Sequence, residues 1–386
     1  MSPALGALCI VAGGSLVLLV VADAIRFLVV PRGLVIRWTR SFDKLVRRLF
    51  RGIAGRMTAY ERRDRLLTYE GPFRLIGYLI LWVGSAFAGY GLIYWPFVGS
   101  LGQGLAAAGS AMFTLGFVAV PGGAPQAIAF LAAATGLILV ALQISYLPVI
   151  YQAFNRREAL VTMLSSRAGQ PPWGPEVLAR HALIDSLDEL PSFFRDWEMW
   201  AADVAETHTN YPVLLAFRSP DPMRSWVVAL NAMLDAASLY LALAPERAPS
   251  QARNFIRMGY SALREVAVVM QIQFDDDPLP DSPVLLTRRE FDAALQLLDE
   301  ARFPRERDPA ESWKHFRGWR VNYESLVYEI ADRLNAVPAP WSGPRRRIAD
   351  VYSPQRPRHR HPGDSESHVH DALTDLQPAP PRTPVG

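Results

Sequence analysis

Between Arg74 and Arg156 the chain runs for 81 residues without an Asp, Glu, Lys, Arg or His. In an ordinary soluble domain about a quarter of the residues would be charged, so water is the wrong solvent for this stretch. It divides into three. Residues 75–97 and 127–151 are each long enough to cross ~30 Å of hydrocarbon as a helix rising ~1.5 Å per residue. Residues 98–126 are also apolar but are broken by Gly99, Gly102, Gly104, Gly109, Gly116, Gly122, Gly123, Pro121 and Pro125. A short helix is expected over 101–113, and a glycine-bearing loop follows it. The pattern is a spanning helix, a re-entrant helix and loop, and a second spanning helix.

The rest of the chain is read around that unit. Its 386 residues leave room for a soluble part of domain size after Arg156, where charge density rises. The single cysteine, Cys9, excludes an internal disulfide and a cysteine-based zinc site. Basic residues are nearly all Arg, with Lys only at 44 and 314, and no basic stripe is interleaved with aromatics. No nucleic-acid partner is expected.

Residues 1–31 lack the basic leader and cleavage site of a secretory signal and are read as a retained first transmembrane helix. Asp23 and Arg26, three apart near its end, are expected to pair, or Arg26 to snorkel to the interface. Residues 32–72 form a basic connection, in which Arg and Lys far outnumber Asp and Glu. The positive-inside rule then places this connection in the cytoplasm, the N-terminus outside, and residues 98–126 on the outer face of a plasma (inner) membrane. Leu34, Ile36, Leu45, Leu49, Phe50, Ile53 and Met57 recur on a helical period against the Arg residues. This is either an amphipathic helix attracted to anionic lipid or one packed on the soluble domain.

Residues 73–153 resemble the two-transmembrane pore domain of the potassium-channel family. Thr114-Leu115-Gly116-Phe117 stands where that family has Thr-Val-Gly-Tyr or Thr-Val-Gly-Phe, and Gly136 lies twenty residues beyond Gly116, near the family's inner-helix hinge. The resemblance implies a homotetramer in which Thr114, Leu115, Gly116 and Phe117 line a path for K⁺, with backbone carbonyls replacing the ion's hydration shell. It also implies that Phe117 packs outward as a spacer. Two positions depart from the pattern: Val118 replaces the second filter glycine, and Ala119 the acidic residue after it. A β-branched residue resists the positive φ that a filter glycine permits, so the match covers the inner half of a filter.

After Arg156, the inner helix is expected to continue over 154–166. Helical patterns separated by Pro and Gly follow at about 175–190, 192–208, 222–243, 250–273, 288–302 and 311–335. Thr287 to Glu290 fits a capping box, and Asp221-Pro222 fits a helix start. No alternating apolar runs with hairpin signals appear, so 154–340 is read as an all-α cytoplasmic domain. The fold class is an all-α membrane protein: three transmembrane helices with a re-entrant pore loop, plus that domain.

Chemistry in the soluble part is sparse. Glu206 and His208 sit in the densest polar–aromatic cluster and are the candidate ligand pair, although two residues apart on a helix point to different sides. His208 near a helix C-terminus would favour a protonated imidazole. The Asp275–Asp277 run with Asp281 lacks the glycine and glutamate of an EF-hand loop. No phosphate loop and no nucleophile constellation can be singled out, so no enzymatic activity, cofactor or metal is expected. Residues 341–386, rich in Pro, Arg and His, read as a disordered tail in which His359, His361, His368 and His370 could bind a metal weakly. The expected function is transport of a monovalent, potassium-type cation through a tetrameric pore regulated by the cytoplasmic helical domain. The alternative is a non-conducting membrane-anchored scaffold with a degenerate pore unit.

Overall fold

Long apolar runs bounded by Gly, Pro and caps give helices, and the computed structural model describes residues 2–30, 37–120, 122–345 and 351–355. The helices in order are α1 (Pro3–Leu28), α2 (Arg37–Ala54), α3 (Tyr60–Leu67), α4 (Glu70–Val98), α5 (Leu101–Met112), α6 (Ala124–Ala168), α7 (Gly174–Leu183), α8 (Leu190–Asn210), α9 (Trp226–Leu243), α10 (Ser250–Met270), α11 (Arg288–Glu300), α12 (Pro309–Arg320) and α13 (Glu324–Arg333). Among the described residues there are no strands beyond an isolated bridge between Gln170 and Gln355. The fold is all-helical. Among the described residues, four helical runs are long and apolar enough to cross a membrane: Pro3–Leu28, Tyr60–Val98, Ala124–Ala168 and Trp226–Leu243.

The chain divides into two units, Met1–Gly52 with Tyr69–Gln152, and Ile53–Thr68 with the residues from 153 onward. In the first, α1 and α4 approach closely at glycine. A Cβ added to Gly13 would lie 2.4 Å from the carbonyl oxygen of Gly89, and one added to Gly89 would lie 3.0 Å from that of Gly13. Small residues at such a crossing let two apolar helices gain dispersion contacts where no hydrophobic drive exists. Leu18 of α1 is 72% exposed and Phe130 of α6 69%, and Leu8, Val11, Leu19, Leu131, Leu137 and Ile144 are also exposed. So large an apolar exterior is a surface made for lipid or for another protein.

Asp23 does not pair with Arg26. Its Oδ2 accepts from the Thr39 hydroxyl of α2 and, at 3.0 Å, from Trp82 Nε1 of α4, while Arg26 is exposed. Trp82 is fully buried, in a ring cluster with Phe27 and Tyr78.

The second unit is built around α9, every residue of which is buried. Its apolarity on all sides is that of a core helix covered by neighbours. Gly174 of α7 and Gly259 of α10 let those helices close on it. Their added Cβ atoms would lie 2.7 Å from the Ala232 carbonyl oxygen and 2.7 Å from Leu234 Cδ2. Arg320 is buried in the same core. It donates to Asp235, at 2.8 Å to Glu324, and at 2.7 Å to the Trp341 carbonyl. Burying such charges is tolerable only because the donors are matched by acceptors.

Several sequence-based boundaries move. The basic connection 32–72 is not one element: α2 belongs mostly to the first unit and α3 to the second, where Asp64 accepts from Arg218. The 311–335 helix is two helices, broken at 321–323 around the buried Tyr323. Asp221 does not start a helix. Its Oδ1 accepts the Met223 N–H in a turn, and α9 begins at Trp226. The second unit extends past 340, because Trp341, Ser342 and Arg345 are buried and Arg345 donates to the Ala336 and Val337 carbonyls. The Thr287–Glu290 capping box forms. Residues 356–386, with the four tail histidines, lie outside the described residues.

Candidate functional site: the α5–α6 loop

The site begins with α5. Ser100 caps its N-terminus, accepting the Gln103 N–H. Gly104 brings it onto α4, where an added Cβ would stand 2.5 Å from the Gly91 carbonyl oxygen. α5 ends at Met112, one residue before the expected end, and Met112 rests on α6. A Cβ on Gly136 would be 2.3 Å from the Met112 carbonyl oxygen. Gly136 therefore has a packing role: only hydrogen fits beneath the end of α5. Nearby, Tyr90 of α4 and Thr135 of α6 share a 2.8 Å hydrogen bond.

The loop then folds back on Ser110. The carbonyl of Ser110 accepts the N–H of Leu115 at 2.9 Å and of Gly116 at 3.3 Å, and its hydroxyl accepts the N–H of Val118 at 3.0 Å. Each of these peptides is trans, so its carbonyl points opposite to its N–H. The carbonyls of Thr114, Leu115 and Phe117 are thereby turned away from α5. Two left-handed residues make the path, Thr114 at φ 54° and Gly116 at φ 69°. For a β-branched residue such as Thr114 that conformation costs on the order of 1–3 kcal/mol and is held by its surroundings. Val118 is not among the positive-φ residues, so the departure from glycine is accommodated where it stands.

Thr114, Leu115, Gly116 and Phe117 are all exposed, and Phe117 is 67% accessible. In a single copy of the chain this stretch of loop is uncovered. No acidic residue lies between 98 and 126, so the loop offers a cation backbone and hydroxyl oxygens only. The Thr114–Phe117 motif does not include Ser110. The signal for Ser110 is that it and Gln103 are the only polar side chains of α5.

Glu206 and His208 are not brought together. Glu206 is exposed and accepts from Asn210 Nδ2. His208 is fully buried: Arg157 Nη1 donates to its Nε2 at 3.0 Å, and its Nδ1 lies 3.0 Å from the Val204 carbonyl. That pattern requires the neutral imidazole with its proton on Nδ1. Burial, aided by the Arg157 guanidinium, pushes its pKa well below the ordinary histidine value, which reverses the protonated imidazole expected from the helix end. Arg157 itself is fully buried and donates to the Leu214 and Phe217 carbonyls at 3.1 and 2.8 Å. The cluster is a structural anchor.

The chain matches no protein-family model, no curated protein and no solved structure.

Proposed function

We propose that this is an integral membrane protein in which α1, α4 and α6 span the bilayer, residues 98–126 re-enter it, and four copies enclose a path for monovalent cations of the K⁺ type. The observation that carries this reading is the row of Thr114, Leu115 and Phe117 carbonyls turned away from α5 by the Ser110 clamp. Carbonyls directed at a common axis replace the hydration shell of an alkali cation, and four-fold repetition turns an uncovered stretch of loop into an enclosed one. The resemblance of Thr114-Leu-Gly-Phe117 to a potassium filter supports the choice of ion. The basic residues of 32–74 support a cytoplasmic second unit and an external N-terminus. In this reading α9 is a core helix rather than a fourth span, being buried by protein throughout.

A non-conducting scaffold is the second reading, favoured by Val118 and Ala119 in place of the outer half of a filter. The two separate by measurement. A tetramer in mild detergent and K⁺ flux from proteoliposomes, lost in Gly116→Val, support the channel. A monomer, or tetramers silent across voltage, pH and ion gradients, supports the scaffold.

A further inference from the structure

Helix α2 has one side covered by protein and, apart from it, an apolar stripe that is left exposed. At about 100° per residue, Thr39, Asp43, Val46 and Phe50 share one side. Thr39 is fully buried, and Val46 and Phe50 are buried as well. This side is fastened to α1 by the Thr39–Asp23 hydrogen bond and to α4 by Tyr78, which donates to Asp43. Phe50 also packs on Phe73 of α4 at 5.6 Å. About 110° round the helix lie Trp38, Leu45 and Leu49, within about 40° of one another. They are 53%, 64% and 53% exposed. On the far side of that stripe, about 100° away, are Lys44 and Arg48, both exposed.

Position in the first unit says what covers the stripe. Asp23 lies in the last turns of α1, and Arg74 and Tyr78 in the first turns of α4, so α2 is fixed at the end of the unit where α1 finishes and α4 begins. The apolar exterior of the spans gives way to charge there, with Glu70 accepting from Arg74. A stripe of Trp and Leu bordered by Lys and Arg at that level matches a bilayer interface: acyl chains against the rings and branches, phosphates against the cations.

We propose that α2 is an interfacial helix that seats Trp38, Leu45 and Leu49 in the acyl–headgroup boundary and selects anionic phospholipid through Lys44 and Arg48. The proposal rests on the reading of α1, α4 and α6 as spans. It adds a lipid class and the residues that recognise it.

The test uses the full chain in nanodiscs on a Cys9→Ser background, with a nitroxide placed by Leu45→Cys, Leu49→Cys, Lys44→Cys or, on α1, Leu18→Cys. Labels at 45 and 49 are expected to collide with dissolved oxygen, and the label at 44 with an aqueous nickel chelate. If 45 and 49 read as water, or as shielded from both, while 18 reads as lipid, the interfacial helix is overturned and the membrane reading stands. If 18 also reads as water, the membrane reading itself fails. A second measurement compares the association of spin-labelled phosphatidylglycerol and phosphatidylcholine with the protein. Lys44→Gln and Arg48→Gln should each lower the preference for phosphatidylglycerol by about fivefold. An unchanged preference in the double variant overturns the selection of anionic lipid.

Discussion

The hydroxyl of Ser110 accepts the backbone N–H of Val118 at 3.0 Å, while its carbonyl takes the N–H of Leu115 at 2.9 Å. One small residue near the end of α5 thus fixes the direction of three peptides in the loop. Ser110→Ala keeps the carbonyl and deletes the hydroxyl, removing an interaction worth about 1 kcal/mol at the Phe117–Val118 peptide alone. If the loop conducts, the expected result is a changed K⁺ over Na⁺ permeability ratio with an intact tetramer. Ser110→Thr, which restores an acceptor, should recover it. Identical reversal potentials in wild type and Ser110→Ala would remove Ser110 from the site.

The contact between Gly136 and the Met112 carbonyl makes a packing prediction. Gly136→Ala introduces a Cβ where 2.3 Å is available, and overpacking of this kind costs about 1–3 kcal/mol. Gly84→Ala on α4 meets nothing within 4 Å and serves as the matched control. Thermal unfolding in detergent should show a lower midpoint for Gly136→Ala and no loss for Gly84→Ala. Equal midpoints would mean that α5 does not rest on α6 as described.

His208 gives the second unit an acid sensitivity of known sign. Its imidazole is neutral when folded, because burial and Arg157 hold its pKa well below the usual value, whereas the unfolded chain takes up a proton near pH 6.5. The unfolded state therefore binds more protons below that pH. Stability is full above about 6.5 and falls as pH drops toward the folded pKa, by at most about 1.4 kcal/mol per pH unit. His181, also lowered mainly by burial, acts in the same direction. Urea unfolding at pH 7.5 and 5.5 should show a smaller difference in His208→Gln than in wild type. A difference of the same size would show that His208 is not the group being titrated.

The Arg320–Asp235 pair predicts a large loss from a single truncation. Both side chains are fully buried, and Tyr323 also donates to the same carboxylate oxygen at 2.9 Å. Asp235→Ala leaves a guanidinium without its main counter-charge, at a cost of about 3–5 kcal/mol. Asp235→Asn retains the shape and one acceptor and should cost less. Unfolding midpoints of the full chain that rank the two variants in the opposite order would count against the network.

Composition and spacing alone made several features legible. A charge-free run of 81 residues admits few solvents, so long apolar helices with a glycine-broken interval follow from the residues directly. The Thr287 cap follows too, because the atoms involved lie within three residues of each other. Contacts between distant segments were not readable in this way. Asp23 lies beside Arg26 in sequence and pairs instead with Thr39 and Trp82, since a helix end can turn a side chain toward whichever element packs there. Trp341 read as the start of a polar tail and proved to be core, because an aromatic ring among Pro and Arg is buried only if a cavity elsewhere fits it.

The sequence by itself determined that this protein is helical, that its apolar runs exceed what a soluble core needs, and that Thr114-Leu-Gly-Phe117 sits between two of them. Only the tertiary structure decided that Ser110 orients those peptides, that Gly136 makes room for Met112, and that α9 is core while one arc of α2 is left bare. The reason is physical. Periodicity fixes which face of a helix is apolar, but what that face meets, and which way a loop carbonyl points, depends on partners far along the chain.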